Sequence, residues 1–329
     1  METQLSPDPI VLGSIIRSGG IVIFPTETVY GIGASSLLPE SCLKIYEIKN
    51  RPRDNPLICH FDSIERIEEY CDLNNLGKAL LEKFSPGPLT LILRKKVKNI
   101  FPFEMPTLAC RIPKYPKVRE MIASAGGLVS APSANLSGRP SLTRLSDVRF
   151  YFDGKVDGIL LDEEPEVGIE STVLDLTSDS PILMRPGSIE IEDFVPLISV
   201  IDFRKLKKGW EGDENLKSPG LKYRHYSPHA SLVLGSADEI LKNKKVLESE
   251  TISPKRFAWI GFFPPDQNEA EGFIYSKKVS DNKEYRSELY AFFEACDRLG
   301  VQTIFCEIPK PGPGFEGLWN RMEKAKSKE

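Results

Sequence analysis

GIVIFPTETVYGIG, residues 20–33, decides how the rest of the chain is read. Its first half, Ile21–Phe24, is an unbroken run of β-branched and aromatic residues closed by Pro25, the pattern of a short strand buried on both faces. The second half packs Pro25, Thr26, Glu27, Thr28, Tyr30, Gly31 and Gly33 into what reads as a strand-to-loop turn. The two glycines would let a ligand approach the backbone closely, and the threonine hydroxyls and Tyr30 offer neutral hydrogen-bond partners. Ordinary turn chemistry explains the same composition equally well.

Runs of the same kind recur outward from this stretch. LICHF (57–61), LTLIL (89–93), LACRI (108–112), GLVSA (127–131), GILL (158–161), STVLDLT (171–177) and PILM (181–184) read as strands, with a helix over Pro39–Ile48 carrying Leu43 and Tyr46 on one face. Many strands with interspersed helices predict one mixed α/β domain over residues 1–205, with the sheet order left open. Residues 204–229, RKLKKGWEGDENLKSPGLKYRHYSPH, break the pattern with glycine, proline and seven basic residues against three acidic ones. We read 206–229 as a linker. Beyond it, SLVL (231–234), a helix near 236–247, RFAWIGFF (256–263) and TIFCEI (303–308) predict a second, smaller α/β domain over 230–329. Asp281 and Glu284 resemble a capping box before a helix whose apolar positions Tyr285, Leu289, Phe292, Cys296 and Leu299 step by three or four.

Bulk properties bound the function. A length of 329 residues fits about two domains of roughly 150. A hydrophobic fraction of 40%, with no apolar run near the ~18 residues that cross a bilayer, argues against membrane association. Residues 1–20 lack a basic start, and Gly13 and Ser14 interrupt their apolar stretch, so we expect a cytoplasmic protein. The six cysteines, at 42, 59, 71, 110, 296 and 306, form no CxxC pair and predict buried reduced thiols, with no metal site. A net charge of −4 leaves no broad phosphate footprint, so an anion site must be a local concentration of charge.

Several local concentrations exist. KNRPRDNPL (49–57) sets Lys49, Arg51 and Arg53 within five positions at a helix end, where they would suit a phosphate or carboxylate, or merely offset the helix dipole. His60 and Arg111 each lie inside an apolar strand. A buried histidine is more often a satisfied core residue, whereas a buried arginine demands either an anionic ligand or an internal carboxylate. APSANLSGRP (131–140) offers Ser133, Asn135 and Ser137, while GIESTV (168–173) and RPG (185–187) place Ser171 and Arg185 at strand edges. There is no GxxxxGK[ST] loop, GxSxG elbow or HExxH pair. GPGFEG (312–317) matches GxGxxG, but too little chain follows for a second βα unit.

The order of these motifs is more specific than any one of them. PTETVYG, KNRPRDNPL, SPGPLT (85–90), APSANLSG, GIESTV, RPG and SPGLKYRHYSP (218–228) in succession resemble the YrdC-like family, the L-threonylcarbamoyladenylate synthases, in its two-domain form. The resemblance covers residues 10–190 and the linker well, and the last hundred residues chiefly through GPGFEGLWNRMEKA (312–325). It implies a twisted mixed-sheet catalytic domain with a positively lined cavity, a small Rossmann-like C-terminal domain, and a linker closing over the active site. It also implies the reaction: L-threonine, bicarbonate and ATP, with Mg2+, give threonylcarbamoyl-AMP and pyrophosphate. A tRNA threonylcarbamoyltransferase machinery then consumes the adenylate.

By the same resemblance, Lys49, Arg51, Ser133, Asn135 and Arg185 hold the nucleotide, and Tyr226 closes over it with Arg224 and His225 beside it. Thr28, His60, Arg111 and Ser171 form the threonine pocket, and Tyr30 sits near the carbamate. The linker motif reads KYRHYSP where the family is expected to have KYRHYAP. The alternative to a synthase is a non-catalytic double-stranded RNA or tRNA binder, marked by steep salt dependence without ATP consumption. A carbamoyl-transfer relative would instead depend on carbamoyl phosphate.

Overall fold

The computed structural model describes residues 2–197, 201–202, 226–249, 256–263 and 273–326. Two compact units divide the chain: Met1–Ser137 with Ser141–Tyr223, and Gly138–Pro140 with Arg224–Glu329.

The first unit runs β1 (Gln4–Ser6), α1 (Pro9–Arg17), β2 (Val22–Phe24), β3 (Gly31–Ser35), α2 (Pro39–Lys49), β4 (Ile58–Phe61), α3 (Ile64–Tyr70), α4 (Asn75–Phe84), β5 (Leu89–Arg94), β6 (Thr107–Arg111), α5 (Pro116–Ser124), β7 (Leu128–Ala131), α6 (Leu145–Phe152), β8 (Gly158–Leu160), β9 (Thr172–Asp175), β10 (Ile182–Arg185), α7 (Ile191–Phe194) and β11 (Ile201–Asp202). Its strands form one mixed sheet in the order β1-β8-β2-β3-β7-β4-β6-β5-β9-β10-β11. Every apolar run read as a strand is one. The exception to the reading is PTETVYGIG, whose second half is β3, paired antiparallel with β2 through Val22 and Gly33. Its glycines serve packing. A Cβ on Gly33 would stand 2.6 Å from Val129 Cγ1 and 2.7 Å from Phe24 Cε1, so the space expected for a ligand holds those side chains.

Successive strand residues face opposite ways, and two core clusters separate the faces. Cys59, Leu89, Leu91, Cys110, Leu174 and Leu183 join Ile67 of α3 and Leu80 and Leu81 of α4 in the larger cluster. Ile58, Ile92, Ala109, Val173 and Met184 form a small one on the other face. Because both faces are covered, these strands read as unbroken apolar runs rather than alternations.

The second unit holds β12 (Ser231–Gly235), α8 (Ala237–Ser249), β13 (Phe257–Gly261), β14 (Phe273–Lys278), α9 (Asn282–Arg298), β15 (Thr303–Glu307) and α10 (Phe315–Lys326). Its four strands are all parallel, in the order β12-β15-β13-β14. The cap of α9 is displaced by one residue from the expected box. Asp281 accepts from the Glu284 N–H at 2.8 Å, but the Glu284 carboxylate turns back to the Ser280 N–H at 2.7 Å. Arg139, carried by the segment Gly138–Pro140 of this unit, pairs with Asp297 and, at 3.8 Å, with the buried Glu294. Tyr226–His229, read from sequence as linker, also belong here: the Ser227 N–H donates to Gly138 O at 3.1 Å and the His229 N–H to Asp297 Oδ1 at 2.9 Å. Among the described residues, no helix is long and apolar enough to cross a membrane, and all six cysteines are buried free thiols.

Candidate active site

Helix α2 ends at Lys49 because Asn50 adopts the left-handed conformation, φ 51°, which asparagine tolerates better than most residues. That turn sends the Lys49 side chain into the 131–138 loop, where Nζ donates to Ser133 O at 2.6 Å and to Asn135 O. The Ser137 N–H returns a bond to Lys49 O at 2.8 Å. Ser133 Oγ donates to Asn135 Oδ1 at 2.6 Å, so the two loop side chains predicted for the nucleotide lie together around the ammonium. Lys49 is fully buried, and burial, reinforced by the nearby Arg51 cation, holds its pKa well below the ordinary lysine value, while Glu170 acts the other way.

Glu170 was not foreseen from sequence; it is buried and accepts from Ser141 Oγ at 2.5 Å. Arg51 donates through Nε to Asn55 O at 3.2 Å and through Nη2 to Pro56 O at 3.1 Å, which orders the 51–56 turn beside the lysine. Arg53 leaves the group: it makes a 3.7 Å surface pair with Glu47, both side chains 67% exposed. Tyr30 is stitched to the same loop, donating its N–H to Leu142 O at 3.0 Å and accepting from the Ala134 N–H at 2.6 Å. Burial pushes its phenol pKa up, so it stays protonated.

Seven neighbouring strands, β3-β7-β4-β6-β5-β9-β10, each carry or adjoin one predicted residue or its partner. His60 and Arg111 are directly paired in register. They follow Ile58 and Ala109 by two positions, and Thr90 precedes Ile92 by two, which puts all three on the face of the small cluster. Arg111 is answered by an internal carboxylate: Nη2 donates to Glu27 Oε1 at 2.7 Å, with the arginine 4% and the glutamate 1% exposed. His60 Nδ1 lies 3.2 Å from Ile58 O, and its ring meets Phe24 edge-on at 5.9 Å. Burial first, then the Arg111 cation, lowers its pKa to about 3, so it is neutral at physiological pH.

Thr28 is fully buried and shares a 2.8 Å hydroxyl contact with Thr26. Ser171 Oγ contacts Thr90 Oγ1 at 2.8 Å and accepts from Arg185 Nη2 at 3.1 Å, while Arg185 Nε donates to Ser171 O at 3.1 Å. Loop 85–90 joins these two groups, since Gly87 O accepts from Arg111 Nε at 3.4 Å and Pro88 O from the Thr172 N–H at 3.0 Å.

The structure therefore brings Lys49, Ser133, Asn135 and Tyr30 together on one loop, and ties Arg111, Ser171 and Arg185 through loop 85–90. It pairs Arg185 with Ser171, where the sequence reading set Arg185 beside the phosphates. Tyr226 lies in the second unit, its ring stacked on Tyr290 at 5.7 Å with the Arg321 guanidinium 5.2 Å from its centre. It has φ 69°, unusual for a tyrosine. Arg224, His225 and linker residues 206–225 lie outside the described residues.

A family model described as "Telomere recombination" matches residues 14–187, more than half the chain. A second, described as "Threonylcarbamoyl-AMP synthase, C-terminal domain", matches residues 189–327. The chain belongs to the YrdC-like threonylcarbamoyl-AMP synthase family, in its two-domain form. Two members similar to it, both named threonylcarbamoyl-AMP synthase, align nearly end to end. The Bacillus subtilis protein is 41% identical over 328 residues, 95% of this chain and 91% of its own. The Pyrococcus abyssi protein is 34% identical over 319 residues, 96% and 93% respectively. Among solved structures, that of P. abyssi Sua5 complexed with L-threonine superposes with a TM-score of 0.84 at 33% identity, covering 97% of this chain and 94% of that one.

Proposed function

We propose that the chain makes threonylcarbamoyl-AMP and pyrophosphate from L-threonine, bicarbonate and ATP, as a nucleotidyltransferase of tRNA modification. The observation that carries this reading is the match, across both domains, to relatives named for that activity. The chemistry suits the residues present. Bicarbonate takes up a proton and loses water to give carbon dioxide, and the threonine amine captures it as a carbamate with release of a proton. One carbamate oxygen attacks the α-phosphorus of ATP, and pyrophosphate leaves. No covalent enzyme intermediate is needed, so the protein must supply positioning and charge neutralisation. The cations Lys49, Arg51, Arg111 and Arg185, near the buried carboxylates Glu27 and Glu170, suit a positively lined cavity for a triphosphate, a carbamate and a carboxylate.

In this reading Lys49, Arg51, Ser133 and Asn135 hold the phosphates and nucleotide, with Arg185 reaching them from beside Ser171. Thr28, His60, Arg111 and Ser171 hold threonine, neutral His60 acting as a hydrogen-bond partner rather than a charge. Tyr30, kept protonated, stands by the carbamate as a donor. Magnesium fits as a companion of the triphosphate. No group of three or more His, Cys, Asp or Glu side chains able to cage a metal occurs among the described residues, and Mg2+ is ordinarily held by phosphates, water and one or two carboxylates. Glu170 would be its protein ligand. When bound, the ion neutralises phosphate charge. The product passes to the tRNA threonylcarbamoyltransferase machinery, a transient contact.

The test is pyrophosphate release by the purified chain with MgATP, adding or omitting L-threonine and bicarbonate. Release that needs both supports the synthase. Tight, salt-sensitive tRNA binding without ATP consumption would support the RNA-binding alternative instead.

A further inference from the structure

Arg111 is held by an acid that the synthase reading leaves without a role. Of its guanidinium nitrogens, Nε donates to Gly87 O at 3.4 Å and Nη2 to Glu27 Oε1 at 2.7 Å. Nη1 makes no hydrogen bond among the described residues, and it is not among the buried polar atoms left without a partner, so it reaches accessible surface. Glu27 is itself fixed. Its Oε2 accepts from the Lys114 N–H at 3.0 Å, its backbone O from the Val167 N–H at 2.7 Å, and it is almost fully buried. With both carboxylate oxygens engaged, neither rotation of the acid nor rotation of the guanidinium is open without breaking a buried charge-assisted bond.

We propose that Glu27 is the positioning residue of the threonine carboxylate site: it pins Arg111 by Nη2 so that Nη1 is the donor presented to the substrate. The proposal rests on the assignment of Arg111 to the threonine carboxylate. A guanidinium recognises a carboxylate through a planar fork, so selectivity depends on which edge is presented as much as on charge. The Glu27–Arg111 pair is neutral as a unit, which leaves orientation, not net attraction, as its contribution.

The experiment compares L-threonine with L-threoninol, which lacks the carboxylate, as co-substrates for pyrophosphate release by the full chain. Glu27→Gln keeps the side-chain volume and one acceptor oxygen but removes the charge. It is expected to raise KM for threonine at least tenfold, to leave KM for ATP within twofold, and to shrink the preference for threonine over threoninol as much as Arg111→Lys does. Glu27→Asp, which keeps the charge but shortens the reach by one methylene, supplies the same comparison if the glutamine variant does not fold. A loss of preference in Arg111→Lys with an unchanged preference in the Glu27 variants overturns the role of Glu27 alone. An unchanged preference in all of them overturns the Arg111 assignment and the proposal with it. An equal loss of kcat/KM for threonine and ATP in the Glu27 variants makes the acid merely structural and also overturns it.

Discussion

Replacing Gly187 by alanine tests whether the geometry around Ser171 is as tight as the structure makes it. A Cβ at residue 187 would stand 2.3 Å from the Thr172 nitrogen, 2.6 Å from the Ser171 carbonyl carbon and 2.7 Å from Thr172 Oγ1. Ordinary contact begins near 3.4 Å, and two of these atoms are backbone, so no side-chain rotation relieves the clash and the segment must move by about 1 Å. That segment carries Ser171 Oγ, which is bonded to Thr90 and Arg185, and Thr172, whose hydroxyl bridges to Ile189 O at 2.9 Å. A displacement of about 1 Å in a positioning group costs on the order of a hundredfold in rate, equivalent to about 2.7 kcal/mol of transition-state stabilisation.

The assay is kcat/KM for L-threonine in pyrophosphate release, at a temperature where circular dichroism shows the variant folded. Overpacking should also cost about 1–3 kcal/mol of stability. Gly235→Ala in the second unit, whose nearest contact would be 3.1 Å from Glu239 Cβ, serves as control and should stay within twofold of the parent. Wild-type kcat/KM in Gly187→Ala would refute the argument that the RPG turn sets the position of Ser171.

Further expectations follow from the buried charges and the helix cap. Lys49→Met should abolish nucleotide binding in calorimetry and change the way stability depends on pH. A lysine whose folded pKa is lowered binds fewer protons folded than unfolded, so its stability penalty lifts as pH rises from that lowered value toward 10.5, and the variant should lose this slope. Triphosphate binding should be accompanied by proton uptake at alkaline pH, read from calorimetry in buffers of different ionisation enthalpy, because an anion beside Nζ raises the Lys49 pKa again. His60, with a folded pKa of about 3, contributes stability that is present above 6.5 and is lost as pH falls toward 3. Accordingly kcat/KM for threonine should show no histidine inflection between pH 5 and 8, and His60→Gln should flatten the acid limb of the stability curve. Asp281→Ala, which removes the cap of α9, should cost about 1 kcal/mol in chemical denaturation.

Local sequence carried a good deal of this structure, and the reasons differ from place to place. Apolar runs such as LICHF and LTLIL are strands because both faces of the sheet are covered, and continuous hydrophobicity survives that burial. Strand order was illegible, since it depends on which distant runs pair: β7 lies between β3 and β4 although the chain reaches it after β6. Helices α1, α3, α4, α5, α6 and α7 escaped notice because they are short, between 4 and 10 residues, and in α1 Gly13 and Ser14 also interrupt the apolar stretch.

In the site, KNR and SANLSG stood out by composition, but the contact between them, Lys49 Nζ on the loop carbonyls, spans more than eighty residues and no local pattern encodes it. Arg111 posed the question of an anionic ligand or an internal carboxylate. Glu27, the acid between two threonines in PTET, is the internal half of the answer and could have been singled out as a charge at the end of a buried strand. Gly31 and Gly33 misled for a related reason, because a glycine that makes room for Phe24 looks in sequence like one that makes room for a ligand.

The most direct test of the account is mass spectrometry of the product formed from ATP, L-threonine and 13C-labelled bicarbonate. The account predicts an adenylate with the mass of threonylcarbamoyl-AMP carrying one heavy carbon, absent when threonine is omitted and absent in Lys49→Ala. An unlabelled adenylate, or ATP turnover indifferent to threonine and bicarbonate, would contradict it.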